Sequence, residues 1–492
     1  MKNIFLFCLV QILLITPACK KDKLNSQPSK PDSTSTASIQ VDCGDVYGTF
    51  DNSLYRRANI TFTGGNVGSN PLKAIDNDYL IEKGIAQKAA RLFISVNTIN
   101  DLGISNYDNY VADAKRVPEK LLVNVSGSVT GSITDTAQYR TLVRQLLTHF
   151  KAIASNIVYI EATNEYDLFS PAISDEDYYN IYYKIIYQEV NRYNASLPEG
   201  QMPLQVGGPC ISQWNSTKMQ NFINNYAADT DHNKRLDFIS YHEYCSWNTK
   251  GETNTDHLIQ LGTRRSNIEN WLTAKGLSAD IPAFITEHGI FPGNKLYESG
   301  NPYTEAGGML MAAASAATYN YYYVTTGNNK MFPFFWDTRL TDHNEKSFFA
   351  DNTKYGVNVP TTFGNTILAL SQMDSIRIKS TSAPIDNTTG FGVYCLATKD
   401  ANSVTALVWN WQHRNSATHT VDVSFSNLPS AFSGKKVKMT RSVIDSTHSN
   451  FLYDASHANL QTVDSSADFN ISKYSITLAP NVVSLIRLTP GQ

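Results

Sequence analysis

Short apolar runs alternate with helical patterns from residue 59 to residue 337. Eight such runs end in glycine or polar residues, at 59–63, 91–97, 120–127, 157–166, 204–209, 238–244, 283–289 and 331–337. Runs of this kind are typical of strands that are buried on both faces, as in a parallel sheet. Between them apolar residues recur at helical spacing, most clearly over residues 136–153.

Strand and helix patterns that alternate eight times predict an α/β fold, a (β/α)8 TIM barrel, which we place at residues 39–372. A doubly wound open sheet would alternate in the same way, but the chain lacks a glycine-rich dinucleotide fingerprint to support it. In a barrel the chemistry lies at the carboxyl ends of the strands. The residues that end each run are therefore the candidates for a functional site.

The pattern changes after the eighth run. Short alternating runs separated by Gly, Asn and Ser predict a C-terminal antiparallel β-sandwich over residues 373–492. One more alternating run, at 37–43, precedes the barrel. Residues 39–50 are therefore candidates to pair with the sandwich instead, which would bring Cys43 towards Cys395.

The first residues predict export. Lys2 precedes an apolar run at 4–15 that is too short to span a bilayer, and Thr16-Pro17-Ala18-Cys19 follows. This tetrapeptide resembles the lipobox of bacterial lipoproteins, although it has Thr where Leu is usual. The resemblance implies a signal peptide over 1–18 and a lipid on Cys19 that anchors the chain to a bacterial membrane, at the periplasmic side or the cell surface. An ordinary signal peptide with a chance cysteine is the alternative.

Composition narrows the possible partners. Residues 19–38 are rich in Lys, Ser, Pro and Thr and predict a flexible tether. The net charge is −3 and there is no basic run, so nucleic acid is not an expected partner. No CxxC pair or His/Cys cluster indicates a metal, and we expect neither a metal nor an organic cofactor. We expect a monomer, attached to the membrane by lipid only.

Two glutamates end the fourth and seventh runs. Glu165 follows Asn164 at the first of these ends, and Glu287 closes the second. The fourth and seventh strands of a barrel face each other across its mouth, and two carboxylates that flank a glycosidic bond can split it. Ion-paired or surface glutamates without a catalytic role are the plainer interpretation of either residue alone.

The Asn-Glu pair after the fourth strand and the Glu after the seventh resemble clan A of the glycoside hydrolases. These enzymes are (β/α)8 barrels that hydrolyse β-glycosidic bonds with retention, and a β-sandwich often follows, as in families 30, 39, 79 and 86. The resemblance implies that Glu165 is the acid/base and Glu287 the nucleophile, with Asn164 binding the sugar 2-hydroxyl. Tyr166 stands where the family usually has Pro, which leaves the individual family open.

The same resemblance implies roles for four further residues. Arg91 matches an arginine that pairs with the nucleophile and keeps it ionised, although its position at the start of a run leaves a core role equally open. His242 or Tyr244 matches the residue that hydrogen-bonds the nucleophile. Trp336 matches the aromatic platform under the sugar.

Other residues near the strand ends are open to two interpretations. Trp247 and Trp214 lie in loops after the sixth and fifth runs, where they could stack on sugar or simply cap the barrel. Glu243 alternates to the opposite face from His242 and could be a contact between barrel and helix.

The sequence therefore predicts an exported retaining glycoside hydrolase acting on a polysaccharide or oligosaccharide. A non-catalytic glycan-binding lipoprotein on a similar barrel is the alternative.

Overall fold

A closed parallel barrel forms the larger part of the computed structural model. The model describes residues 35–52, 54–60, 74–116, 118–127, 135–244, 258–290, 304–338, 343–382, 385–413 and 417–491. After a first strand, β1 (Ser35–Thr49), the barrel strands are β2 (Arg57–Asn59), β3 (Ala89–Ser95), β4 (Lys120–Ser126), β5 (Ile157–Ala162), β6 (Gln205–Ile211), β7 (Phe238–Tyr244), β8 (Ala283–Gly289), β9 (Met331–Pro333) and β10 (Trp336–Asp337).

Two short strands together make the eighth position of the barrel. Strands β2 to β8 pair in parallel with their neighbours in chain order. The next strand, β9, pairs with β8, and β10 pairs with β2, with Trp336 opposite Ala58 and Asp337 opposite Asn59. This pairing closes the sheet on itself. The prediction of a (β/α)8 barrel is confirmed.

The helices cover the outside of this sheet, and the longer ones bury apolar residues against it. They are α1 (Ala74–Glu82), α2 (Val96–Leu102), α3 (Asp108–Ala114), α4 (Thr136–Ile153), α5 (Asp175–Asp177), α6 (Lys184–Asn194), α7 (Ser216–Ala228), α8 (Arg264–Ala274), α9 (Glu305–Thr326), α10 (Asn352–Tyr355) and α11 (Thr362–Ser371). In α4 the apolar residues from Leu142 to Phe150 are buried, and Asp135 caps the helix by accepting from the Gln138 amide. Within the described residues, none of the helices is both long and apolar enough to cross a bilayer.

The C-terminal strands form a second sheet around a core of its own. They are β11 (Ile376–Ser380), β12 (Gly392–Lys399), β13 (Val404–Trp411), β14 (His419–Ser426), β15 (Val437–Ile444), β16 (Gln461–Ser466), β17 (Tyr474–Leu478) and β18 (Val483–Pro490). Apart from one parallel pair their pairings are antiparallel, and the inward-facing apolar residues pack together. The prediction of a second, antiparallel β domain after the barrel is confirmed.

The first strand belongs to this second sheet. Strand β1 runs antiparallel to β11 and parallel to β14. Its residues Ala37, Ile39, Val41 and Cys43 alternate into the sandwich core, so the strand already begins within the stretch predicted as tether. Cys395 lies in the same core cluster, but both thiols are free. Residues 1–34, including Cys19, lie outside the described residues.

Helix α9 joins the sandwich to the mouth of the barrel. On one side, the indole N–H of Trp409 donates to Oγ1 of Thr318 at 2.8 Å. On the other side, the hydroxyl of Tyr319 donates to the carbonyl oxygens of Gly289 at 2.6 Å and Glu243 at 3.2 Å. These carbonyls end β8 and β7. The sandwich therefore supports the strand ends that carry the candidate site.

Candidate active site

The two glutamates predicted from the strand ends face one another. Glu165 lies three residues beyond β5, and Glu287 lies within β8. One oxygen of each, together with a ring nitrogen of His242, lies within 4.8 Å of the others. The side chains of Glu165 and Glu287 are 26% and 19% exposed, so both reach solvent at the mouth of the barrel. A buried polar network lies beneath them. The structure thus brings together residues from three strands at the carboxyl edge of the barrel.

Arg91 is the centre of that network. It is fully buried, and its Nη1 donates to Oε1 of Glu287 at 2.8 Å. Its Nη2 donates to Oδ1 of Asn164 at 2.7 Å, and its Nε donates to Oε2 of Glu161 at 2.8 Å. Strand β3 begins at Ala89, so Arg91 is its third residue and its side chain points into the barrel. One guanidinium therefore orients Glu287, Asn164 and Glu161 at once.

Glu161 is a site residue that the sequence did not reveal. It is fully buried, and besides Arg91 it accepts from Nδ2 of Asn124 at 2.8 Å and from Oγ1 of Thr286 at 2.7 Å. Burial disfavours its charge, but the nearby Arg91 and His242 and these hydrogen bonds hold the pKa of Glu161 below its ordinary value. The available signal was a single acid within the apolar run 157–162. Glu161 supplies the countercharge that lets Arg91 be buried.

Glu287 is surrounded by positive charge. Its Oε2 accepts from the hydroxyl of Tyr244 at 2.8 Å, and Tyr244 in turn accepts from Nζ of Lys346 at 3.4 Å. Burial raises the pKa of Glu287, but the charges of His242, Arg91 and Lys346 outweigh it and lower the pKa to about 2. Glu287 is therefore ionised at neutral pH, as a nucleophile must be.

Glu165 sits on a strained turn. Its backbone lies in the left-handed region, with φ of +51°, and its amide donates to the carbonyl of Cys210 at 2.9 Å. Asp167 fixes the turn by accepting from the amide and the hydroxyl of Ser212. Non-glycine residues in this region cost of order 1–3 kcal/mol and cluster at functional sites. Tyr166, the residue after Glu165, is buried and stacks on Tyr178 with 3.9 Å between ring centroids.

His242 lies between the two glutamates. Its Nδ1 is 2.9 Å from Oε1 of Glu165, and its Nε2 is 3.6 Å from Oε1 of Glu287. The thiol of Cys210 lies 3.4 Å from the same Nε2. Burial raises the pKa of Cys210 well above its usual range, so the thiol stays protonated. His242 and Tyr244 are both in the site, and each contacts a different glutamate most closely.

Trp336 and Trp247 are two tryptophans predicted to bind sugar. Trp336 is only 1% exposed, and its indole N–H donates to the carbonyl of Tyr55 at 3.0 Å. Its neighbour Asp337 pairs with Asn59, which contacts Arg91, so strand alternation turns Trp336 away from the mouth. Trp336 is thus a core residue and offers no free face as a sugar platform. Trp247 lies outside the described residues.

Glu243 and Trp214 pack between barrel and helix. Both carboxylate oxygens of Glu243 accept from Arg264, at 3.0 and 3.1 Å. The guanidinium of Arg264 also lies over the ring of Trp214, which stacks on Trp271 with 5.8 Å between ring centroids. Glu243 is therefore the barrel–helix contact that alternation predicted.

A metal ion does not suit this constellation. Glu165, His242 and Glu287 could each offer one ligand atom to a cation. However, Oε1 of Glu287 already accepts from Arg91, and Lys346 adds a second positive charge beside the carboxylate. A divalent ion would have to compete with both charges, so the donor set fits acid–base chemistry better than metal binding.

Comparisons with known proteins support the same fold. No family model matches the sequence, and no curated protein does. Among solved structures, a bacterial orthologue of human α-L-iduronidase is similar over 93% of this chain and 84% of its own, with 15% identity and a TM-score of 0.68. A family 39 β-xylosidase from Caulobacter crescentus is similar over 92% and 100%, with 12% identity and a TM-score of 0.58.

A family 30 subfamily 8 xylanase from Clostridium acetobutylicum is similar over 92% of this chain and 99% of its own, with 12% identity and a TM-score of 0.54. At these identities the likeness establishes the fold. The sequence predicted a barrel followed by a β-sandwich. The likeness to these solved structures confirms that architecture.

Proposed function

We propose that the chain is a retaining glycoside hydrolase that cleaves β-glycosidic bonds in an oligosaccharide or polysaccharide by double displacement. Glu165 is the acid/base and Glu287 the nucleophile. The observation that carries the proposal is the distance between the two carboxylates, with oxygens within 4.8 Å. Retaining enzymes hold their carboxyl groups about 5–5.5 Å apart, whereas inverting enzymes need about 6.5–9.5 Å to admit a water molecule.

The surroundings of the two carboxylates favour this assignment of roles. Glu287 has Arg91, Tyr244 and Lys346 on one side and is held as an anion. Glu165 is the more exposed of the two, and among the described side chains its hydrogen-bond partner is His242. An acid/base must exchange its proton with substrate and water, so the more accessible carboxylate suits that role.

The reaction proceeds in two balanced steps. In the first, Glu287 attacks the anomeric carbon while Glu165 gives its proton to the glycosidic oxygen, and the bond between that carbon and oxygen breaks. In the second, Glu165 takes a proton from water, the hydroxide adds to the anomeric carbon, and Glu287 leaves as a carboxylate. No metal or organic cofactor takes part in either step.

Asn164 is placed to contribute to binding. Its Oδ1 accepts from Arg91, so its amide Nδ2 is the group left to donate to a sugar hydroxyl beside the anomeric carbon. Hydrogen bonds to the 2-hydroxyl strengthen in the transition state of such reactions. We therefore assign Asn164 to the 2-hydroxyl.

The test is hydrolysis and its stereochemistry. The wild type is assayed against 4-nitrophenyl glycosides and a panel of plant and algal polysaccharides, and the first-formed product anomer is followed by proton NMR. We expect the wild type to hydrolyse its substrate with retention of the anomeric configuration. Glu287→Gln should lose this activity. Glu199→Gln, at an exposed position remote from the site, should keep it. Glycan binding without turnover would instead support the alternative, a binding protein. Inversion would overturn the double displacement.

We also propose that the mature chain is lipid-anchored through Cys19. The support is the sequence of residues 2–19 alone: a basic start, a short apolar run and small residues before the cysteine. The expected result is that the full chain expressed in a bacterium incorporates labelled palmitate and sediments with membranes. Cys19→Ser should lose the label. A labelled Cys19→Ser variant, or an unlabelled wild type, would contradict the anchor.

A further inference from the structure

Lys346 differs from the other buried cations of the described residues. Arg91, Arg264 and Arg265 each pair with a carboxylate, and the ammonium of Lys151 donates to two backbone carbonyls. Lys346 is 8% exposed, and its ammonium has one hydrogen-bonding partner among the described residues, the hydroxyl of Tyr244 at 3.4 Å. Its ammonium also lies 5.0 Å from the centroid of the Tyr244 ring.

The loop that carries Lys346 is held firmly against the barrel. The amide of Lys346 donates to Oδ1 of Asn344 at 2.8 Å, and its carbonyl accepts from the amide of Asp337 at 2.9 Å. A Cβ at Gly289 would lie 3.0 Å from Oε1 of Glu345 and 3.1 Å from Cδ of Lys346, so the lysine stem packs closely over the end of β8. The ammonium is therefore aimed at Tyr244 by the fold.

The direction of the hydrogen bonds follows from the chemistry of the groups. An ammonium can only donate, so Tyr244 accepts from Lys346. Tyr244 in turn donates its hydroxyl proton to Oε2 of Glu287, 2.8 Å away. Hydrogen bonds in such a chain polarise and strengthen one another. The charge of Lys346 therefore reaches the nucleophile through Tyr244.

We propose that Lys346 is a positioning residue that acts through Tyr244 to make Glu287 a better leaving group when the covalent glycosyl-enzyme is hydrolysed. The inference rests on the proposed function and adds a residue and a step to it. While Glu287 is ionised, its charge offsets that of Lys346. Once Glu287 forms an ester with the sugar, that charge is gone, and with it the attraction between Lys346 and the carboxylate.

The two steps therefore respond in opposite ways. Lys346 stabilises the free carboxylate, so it opposes the attack of Glu287 and favours its release. Removing the lysine charge should leave the first step unchanged or faster and slow the second. With a substrate that has an activated leaving group, the second step limits the rate, and the covalent intermediate then accumulates.

The experiment compares Lys346→Met with the wild type on the 2,4-dinitrophenyl glycoside whose sugar the wild type prefers. We expect kcat to fall about tenfold, since one nearby opposite charge changes a carboxylate pKa by at least about one unit. KM should fall by a similar factor, because the first step, and with it kcat/KM, is unchanged. The variant should show a pre-steady-state burst of dinitrophenol at least as large as that of the wild type. Lys354→Met, which removes an exposed lysine in α10, is the matched control and should behave as the wild type.

A double-mutant cycle with Tyr244→Phe tests the route. In that background the further change to Lys346→Met should alter kcat by less than about twofold, because the connecting hydroxyl is gone. Circular dichroism and the thermal midpoint establish that each variant is folded. Rescue of kcat by Lys346→Arg would add support.

Four results would overturn the proposal. A raised KM with unchanged kcat would make Lys346 a substrate-binding group. Equal loss of kcat and kcat/KM without a burst would place its effect in the first step or in folding. A wild type that hydrolyses no glycoside would overturn the proposed function itself, and the role of Lys346 with it, whereas an active wild type with no burst in the variant would overturn only the role of Lys346.

Discussion

Nη1 of Arg91 donates to Oε1 of Glu287 at 2.8 Å, although 196 residues separate them in the chain. The same guanidinium donates to Glu161 and Asn164, so one buried side chain sets the positions of an anion, an amide and the candidate nucleophile. Since Glu161 balances one unit of charge, Arg91 can hold Glu287 ionised without being left unpaired when the ester forms.

Arg91→Lys should separate the charge of this residue from its geometry. Lysine keeps the positive charge but cannot donate to three differently placed acceptors in a fixed fork. We expect kcat/KM to fall about 100-fold or more while the protein stays folded, since misplacing a reacting group has that effect. Steady-state kinetics and thermal unfolding provide the comparison. Near-wild-type kinetics in Arg91→Lys would show that charge alone suffices.

Glu165→Gln should discriminate between leaving groups. A glycoside with a poor leaving group needs the proton of Glu165 in the first step, whereas a dinitrophenyl glycoside does not. We expect kcat/KM to fall at least about 100-fold more for the poor leaving group. In Glu165→Ala, added azide should restore turnover of the activated substrate and yield a glycosyl azide of retained configuration. Equal losses on both substrates would contradict the acid/base role.

His288 should make the protein less stable in mild acid. It is 1% exposed and packed between Tyr319 and Phe335, and burial lowers its pKa from 6.5 to about 3. Between those values the unfolded chain binds a proton that the folded chain does not, so stability falls as the pH drops below 6.5. From pH 6.5 to 5 the loss is about 2 kcal/mol.

The corresponding measurement is the free energy of unfolding in urea at pH 7 and pH 5. His288→Phe should remove most of that pH dependence, and His232→Asn, at an exposed position, should leave it intact. A pH dependence that persists in His288→Phe would assign the acid sensitivity to other groups.

Trp336→Phe should affect stability and leave substrate affinity alone. The change removes a fully packed indole and its hydrogen bond to the Tyr55 carbonyl, which should cost about 1–3 kcal/mol of unfolding free energy. KM should stay within about twofold of the wild type, as for other core substitutions outside a binding site. A large rise in KM with unchanged stability would instead support the role of Trp336 as a sugar platform, which the sequence resemblance implied.

The sequence predicted those parts of the site that depend on regular structure. Apolar runs identified the barrel strands, and the carboxyl ends of parallel strands meet at one edge of the barrel. The sequence alone therefore predicted that Glu165 and Glu287 lie close together. Glu161 could not be found in this way, because an acid within a strand gains its role only from Arg91, 70 residues earlier.

Two other features also depended on three-dimensional detail. Lys346 lies in a loop beyond the last strand, where no periodicity applies, and only the packing of that loop against Gly289 aims it at Tyr244. Trp336 faces the core and not the mouth because the eighth strand is split into two short pieces, and the pairing of the second piece with β2 sets the face of each residue. Side-chain direction there is set by register and cannot be read from composition.

The most direct test of the central claim is covalent trapping of the nucleophile. A 2-deoxy-2-fluoro glycoside of the preferred sugar, with a dinitrophenyl leaving group, slows both steps but the second more, so the intermediate can be captured. We expect intact-protein mass spectrometry to show one added fluorosugar and peptide mapping to place it on Glu287, with no addition in Glu287→Gln. A label on any other residue, or no label on an active wild type, would contradict the account.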